Sequence, residues 1–329
     1  MSLIFDMKKS RDVVALGRAT IDLYANEIGL LENAITFSKY VGGSPANTAV
    51  ALARLGMKVG YVGKVSADGF GRYIKDYLGK NGVDTSHIEY ANQGIRSGVT
   101  IGEILPDKCN FFMYRTNCAD LQITCSQLDE SYIAEHKMLL ISGTSLSHSP
   151  AREAVFASME LAKRNNTRIC LDLDYRDGTW DNLDEASLYF SLAANKADFV
   201  IGTREEFDVL EYTLHPGNTS NDRSAQWLLD MGVKLIAIKI GKRGSFVYDG
   251  KNRFNGGIYP TTVLKSFGAG DSFSGAFNTC LIRGKSIPEA LQFAAAASSI
   301  TITGHSCSDA MPTLTQVQDY MVTHEYLIQ

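Results

Sequence analysis

The feature that most constrains this chain is the alternation of short apolar runs with helical stretches along its second half. Residues 138–141, 168–173, 199–201 and 235–240 read as buried strands. Between them, 151–165, 184–194, 205–212 and 222–231 carry helical periodicity. Continuous apolar strands separated by helices predict an α/β protein with a mostly parallel sheet covered on both faces. The first half adds strands at 12–17 and 59–65 and a helix at 70–81. A helix from Ser44, with Ser44 as its cap and Pro45 at its first position, is expected to stop at Gly56. Residues 244–248 and 253–258 read as hairpin strands near an edge, 257–264 as a strand entering a glycine-rich turn, and 271–283, 287–303 and 314–323 as helices.

Two stretches fall outside this alternation. Residues 21–40 read as short strands outside the main core, and 98–104 with 110–114 as an inserted hairpin. Together they predict a small β appendage, drawn from about 18–40 and 96–116, on one domain spanning 11–325. The net charge is -4, from 36 acidic and 32 basic residues, without the basic excess of a nucleic-acid binder. No apolar run approaches the roughly 20 residues of a membrane span. Leu3-Ile4-Phe5 is cut short by Asp6, so no signal-peptide core is expected. The six cysteines form no C-x-x-C pair and read as reduced thiols of a cytoplasmic protein.

The chemistry-bearing residues cluster in a few segments. Gly268-Ala269-Gly270-Asp271 opens a helix: its uncovered N–H groups make an anion site, and Asp271 places a carboxylate beside it. The same pattern also suits a simple helix cap. At a helix N-terminus Asp271 is expected to stay ionised near neutral pH and so to be a weak base. Gly42 and Gly43 precede Asn47, which offers both a donor and an acceptor. Asp22, Arg115 and Arg176 are charges in apolar or strand-like surroundings, and Arg176 follows a strand's carboxyl end, where open α/β sheets place ligands. Lys239, Gly241 and Gly244 form a cationic, glycine-bounded turn suited either to polyphosphate or to plain solvation. Thr203 opens a helix whose Glu206 suits a water-mediated magnesium contact. The histidines His136, His148 and His305 match no nucleophile motif.

The segment 42–56 and the turn 268–271, in this order and at this separation, resemble the two signatures of the ribokinase-like (PfkB) carbohydrate kinases. The resemblance covers 11–325. Further stretches, 17–28, 39–47, 140–144, 201–208 and 305–313, resemble the branch of that family acting on 2-deoxy-5-keto-gluconate. The resemblance implies a three-layer α/β/α sandwich with a β-sheet lid that closes over the sugar and in many relatives pairs with another subunit's lid. It implies ATP-dependent phosphorylation of the sugar's terminal hydroxyl, with Mg²⁺ and, in some relatives, a monovalent cation. Asp271 would be the base and Gly268, Ala269 and Gly270 the anion hole. Asp22, Gly42, Gly43 and Asn47 would hold sugar hydroxyls, and Arg115 and Arg176 the acidic end. Thr203, Lys239, Gly241 and Gly244 would meet the nucleotide, and Glu206 the metal through water. The alternatives are a kinase for 2-keto-3-deoxygluconate or fructose, and a non-catalytic sugar sensor on the same fold. The chain departs from the common family pattern at Lys265-Ser266-Phe267, where Asp-Thr-Thr is frequent, and at Thr203, where Asn is frequent.

Overall fold

The structure, a computed structural model, describes residues 4–105 and 110–328. Residues 106–109, which include Cys109 and the connection of the expected hairpin, lie outside the described residues. In chain order the strands are β1 (Arg11–Leu16), β2 (Thr20–Ile28), β3 (Phe37–Gly42), β4 (Val59–Val65), β5 (Val83–Tyr90), β6 (Val99–Ile104) and β7 (Asn110–Tyr114). They continue with β8 (His136–Ser142), β9 (Arg168–Asp172), β10 (Phe199–Thr203), β11 (Leu235–Lys239), β12 (Ser245–Tyr248) and β13 (Arg253–Gly256). The helices are α1 (Ser44–Arg54), α2 (Gly69–Lys80), α3 (Glu130–Ala134), α4 (Ala151–Arg164) and α5 (Leu183–Ala194). After them come α6 (Arg204–Glu211), α7 (Asn221–Asp230), α8 (Ala269–Ile282), α9 (Ile287–Thr301) and α10 (Leu314–Thr323).

Nine strands form one sheet in the order β13-β12-β11-β10-β9-β8-β1-β4-β5. Only the β11–β12 and β12–β13 pairs are antiparallel. The apolar runs are continuous because both faces are covered. In β1, Val13 and Ala15 enter the core shared with α1, α8 and α9, while Val14 and Leu16 enter the core shared with α4, α5 and α6. This is the expected three-layer arrangement. β1 pairs in parallel with both β4 and β8, so the strand order reverses there, and the carboxyl ends beside a reversal face a crevice. A separate four-stranded sheet, β3-β2-β6-β7, forms the lid.

Two local expectations are corrected and one strand is new. Residues 257–264 are not a strand: beyond one bridge between Ile258 and Leu327 the segment is irregular, because Pro260 has no N–H to give a ladder. β5 was not expected, its polar, mixed sequence being that of an edge strand buried on one side. Ser44 does not cap α1; Gly43 holds the cap position with φ +99°, and Ser44 already lies within the helix.

α8 is buried along nearly its whole length, and it packs closely against α1. A Cβ on Gly275 would lie 2.7 Å from the Ala51 Cβ and 3.4 Å from α1 backbone, so glycine sets the spacing of the two helices. Gly275→Ala is expected to cost about 1–3 kcal/mol of overpacking. Thermal unfolding should show a lowered melting temperature, and an unchanged one would contradict this packing.

Candidate active site

The helix spacing places two N-termini against each other at the crevice. Asp271, in the first turn of α8, is buried. Its Oδ1 accepts a 2.7 Å hydrogen bond from the Ser44 hydroxyl and its Oδ2 a 2.8 Å bond from Asn47 Nδ2, both in the first turn of α1. Burial, then the charge of Asp174, pushes Asp271 above the ordinary carboxylate range, while Asn47, Ser44 and Arg176 pull it back. The carboxylate is therefore a stronger base than a solvated helix-terminal Asp. Before it, Gly268 caps α8 in the left-handed region at φ +80°. A Cβ there would meet Cys307 at 3.0 Å, so the turn lies close against the 305–309 segment.

A cleft opens at Asp271 and is also lined by Asp22, Gly43, Asn47 and Arg176, with Tyr24 and Thr100 from the lid. The Asp22 carboxylate accepts from Tyr24 Oη at 2.7 Å, and its Oδ1 is buried without a partner among the described residues. Side chains at Gly42 and Gly43 would overlap the Asp22 carboxylate and the Arg18 carbonyl, which accounts for the paired glycines. Arg176 Nη2 meets Asp174 Oδ1 at 2.7 Å. Asp174, at φ +37°, also accepts from Ser142 and Thr144; burial alone would raise it, but Arg176, Arg18 and Ser142 hold it below the ordinary value.

The phosphate-suited end is equally ordered. Lys239 Nζ lies 3.8 Å from Asp172 Oδ1, and a Cβ on Gly270 would come within 3.1 Å of that ammonium, which thus sits over the anion turn. Thr203 caps α6 and forms a capping box with Glu206: Thr203 N donates to Glu206 Oε2 at 2.7 Å, and Tyr175 N donates to Oε1 at 3.2 Å. Asp172 Oδ2 is buried without a hydrogen-bond partner among the described residues. No group of three or more His, Cys, Asp or Glu among the described residues could hold a metal by protein atoms alone. A hard-oxygen pair, Asp172 and Glu206, beside a phosphate turn does fit a magnesium ion that keeps its waters and shares the phosphates. Gly241 and Gly244, at φ +60° and +88°, shape an exposed turn after β11 and do not line the cleft.

Arg115 is placed differently from expectation. Its Nη2 meets Asp120 at 2.6 Å and its Nη1 donates to the Thr144 carbonyl at 3.0 Å, so it braces the lid hinge instead of lining the cleft with Asp271. The sequence reading missed Ser44, Asp174 and Arg18. Ser44 was masked by its fitness as a cap, and Asp174, like Asp172, was read only as the strand-end setting of Arg176. Arg18 was masked by its place between a strand end and the lid, where a solvated loop charge is ordinary. Phe267, a bulky departure from the family pattern, packs on Phe111 of β7 at 4.1 Å between centroids and on Tyr24, joining turn to lid. Lys265 is buried and donates to the Phe267 carbonyl at 3.0 Å.

This fold and site define a carbohydrate kinase: the pfkB family carbohydrate kinase model matches residues 10–314, and the chain belongs to that family. Among curated relatives, it is 47% identical to a 5-dehydro-2-deoxygluconokinase of Geobacillus thermodenitrificans, over 97% of this chain and 95% of that one. It is 44% identical to the 5-dehydro-2-deoxygluconokinase of Bacillus subtilis, over 97% and 98%. Among solved structures, a putative ribokinase II from E. coli in complex with ATP and Mg²⁺ aligns with TM-score 0.87 at 24% identity, covering 95% of this chain and all of that one. A Vibrio cholerae fructokinase bound to fructose, ADP and potassium ion aligns with TM-score 0.84 at 22% identity, covering 95% and 99%. Among the described residues the five cysteines are free, and no helix is long and apolar enough to cross a membrane.

Asp172 gives a pH prediction. Burial pushes its pKa up to about 7, against the pull of Lys239, with Glu206, Asp174 and Asp271 adding to the rise. A carboxyl whose folded pKa lies above its unfolded value stabilises the fold fully below the unfolded pKa, and that contribution is lost as pH rises through the folded one. Asp172→Asn should therefore raise the melting temperature of the ligand-free protein at pH 8, with a smaller difference at pH 5. Melting curves at the two pH values check this.

Proposed function

We propose that this protein is an ATP-dependent kinase that phosphorylates the terminal hydroxyl of 5-dehydro-2-deoxygluconate, the keto acid of inositol breakdown. The observation that carries the kinase chemistry is the Asp271 carboxylate, held by Ser44 and Asn47 beside the Gly268–Gly270 turn at the mouth of the cleft. The near full-length identity to kinases named for this acid supports the substrate.

In this reading the sugar lies in the cleft with hydroxyls against Asp22, Gly43 and Asn47 and its acidic portion toward the arginines. Asp271 orients the terminal hydroxyl and accepts its proton as the oxygen attacks the γ-phosphorus. The new O–P bond forms while the bond from that phosphorus to the β–γ bridging oxygen breaks, and ADP leaves. The N–H groups of the 268–270 turn and the Lys239 ammonium face the developing charge in a water-poor site. Mg²⁺, held with the phosphates near Asp172 and Glu206 through water, would neutralise phosphate charge. Gly241, Gly244 and Thr203 border the region assigned to the nucleotide. A monovalent cation is a further candidate for the same region. The lid's edge strand β7 exposes Phe112 and Tyr114, a surface suited to pairing with the lid of a second copy.

Asp271→Asn should lower kcat by about 10²–10⁴-fold with little change in ATP affinity; near-normal turnover would remove Asp271 from this role. ATP consumption measured side by side with 5-dehydro-2-deoxygluconate, 2-keto-3-deoxygluconate and fructose tests the substrate. The first should give the highest kcat/KM, and ATP use independent of any sugar would contradict the assignment. Sedimentation of wild type against Tyr114→Glu checks the lid contact, with dissociation expected in the variant.

A further inference from the structure

Three arginines converge where the lid joins the main sheet, and they are not equivalent. Arg115 is taken by Asp120 at 2.6 Å, and Arg176 by Asp174 at 2.7 Å. Arg18, on the connection between β1 and β2, is 5% exposed and has no ion-pair partner among the described residues; its Nε is buried without an acceptor. It nevertheless lines the cleft that holds Asp271. A buried guanidinium with no direct ion-pair or hydrogen-bond acceptor is destabilising even with carboxylates nearby, so a site that retains one is built for a ligand that supplies the acceptors. The planar fork of Arg suits a carboxylate bidentately.

The cleft has an electrical direction. The strongest charges acting on Arg18 are Asp174, Arg115, Arg176 and Asp120. Those acting on Lys239, over the anion turn, are Asp172, Glu206, Asp271 and Asp174. Arg18 lies on the connection from β1 into the lid strand β2 and lines the cleft, whereas the Lys239 ammonium sits over the 268–270 turn.

We propose that Arg18 anchors the carboxylate of an open-chain sugar acid at the lid-hinge end of the cleft and is the residue that selects acidic over neutral sugars. This rests on the acidic-sugar reading above. Arg176, already paired with Asp174, holds that carboxylate in place, and Arg115 acts only through the hinge. A neutral sugar at this end leaves the Arg18 charge buried and unpaired, which is the stronger form of rejection.

The test uses the full-length protein with Arg18→Met and Arg18→Lys, assayed by ADP release with 5-dehydro-2-deoxygluconate and with fructose. Melting temperatures are read without ligand and with ADP. Arg18→Met should lower kcat/KM for the acid by about 100-fold, mainly through KM, and collapse the ratio of acid to fructose; Arg18→Lys should recover part of that loss. Without ligand Arg18→Met should melt no lower than wild type, because an unpaired buried charge is gone, and the ADP-induced shift should persist. An unchanged acid KM, an equal loss on both sugars, or a loss of the ADP shift would overturn the assignment. The last outcome would place the anion at the phosphoryl end. A large fall in ligand-free melting temperature would make Arg18 structural and overturn it as well. Wild-type preference for fructose would overturn the substrate reading and this one together, whereas acid preference with an unaltered Arg18→Met overturns only the role of Arg18.

Discussion

The close docking of α1 against α8 is the contact on which the rest of the site depends. Gly275 leaves room for Ala51, and the helices meet with their N-termini side by side. Ser44 and Asn47 then reach both oxygens of Asp271. Each hydrogen bond is local, but the approach that permits them is set about one turn deeper in the core. Protein interiors are close-packed, so a small shift between these helices would be transmitted to the carboxylate without being absorbed on the way.

The crevice gathers buried charges of both signs. Asp172, Asp174, Glu206 and Asp271 are buried and face Lys239 and a half-buried Arg176, and Arg18 stands beside them without an ion-pair partner among the described residues. Burial lifts Asp172, Glu206 and Asp271 toward the proton-bound form, while cations hold Asp174 charged. Such an arrangement is poor for stability and good for binding: it leaves acceptors and donors that only a ligand, or phosphates with their metal, can match. The strand reversal at β1 is what makes this gathering possible, because it opens a crevice where the strand ends can point inward without being filled by a helix.

The lid is tied to that crevice by packing as well as by chain connectivity. Phe267, immediately before the anion turn, packs at a tilt on Phe111 of the lid and on Tyr24. Lys265 fixes the turn from beneath by donating to the Phe267 carbonyl. A residue that seemed out of place in the sequence thus gives the 268–271 turn a direct contact with the four-stranded sheet.

Much of this was written in local sequence. The alternation of apolar runs and helical periodicity specified the layered sheet because β-strands buried on both faces must be apolar throughout. The turn at 268–271 declared itself because few residue types can open a helix with uncovered N–H groups. The irregular 257–264 segment and edge strand β5 were misjudged for the same reason: polar and proline-bearing stretches have weak local preferences, and neighbours decide their state. Which arginine faces the ligand was not a local property at all. Arg18, Arg115 and Arg176 are similar in sequence terms, and only the placement of Asp120 and Asp174 neutralises two of them and leaves the third unpaired. The sequence by itself determined the chemistry available and the fold that would carry it. The tertiary structure decided which charges are spent on one another and which remain for a substrate, because charge pairing depends on distances across the chain that no local pattern encodes.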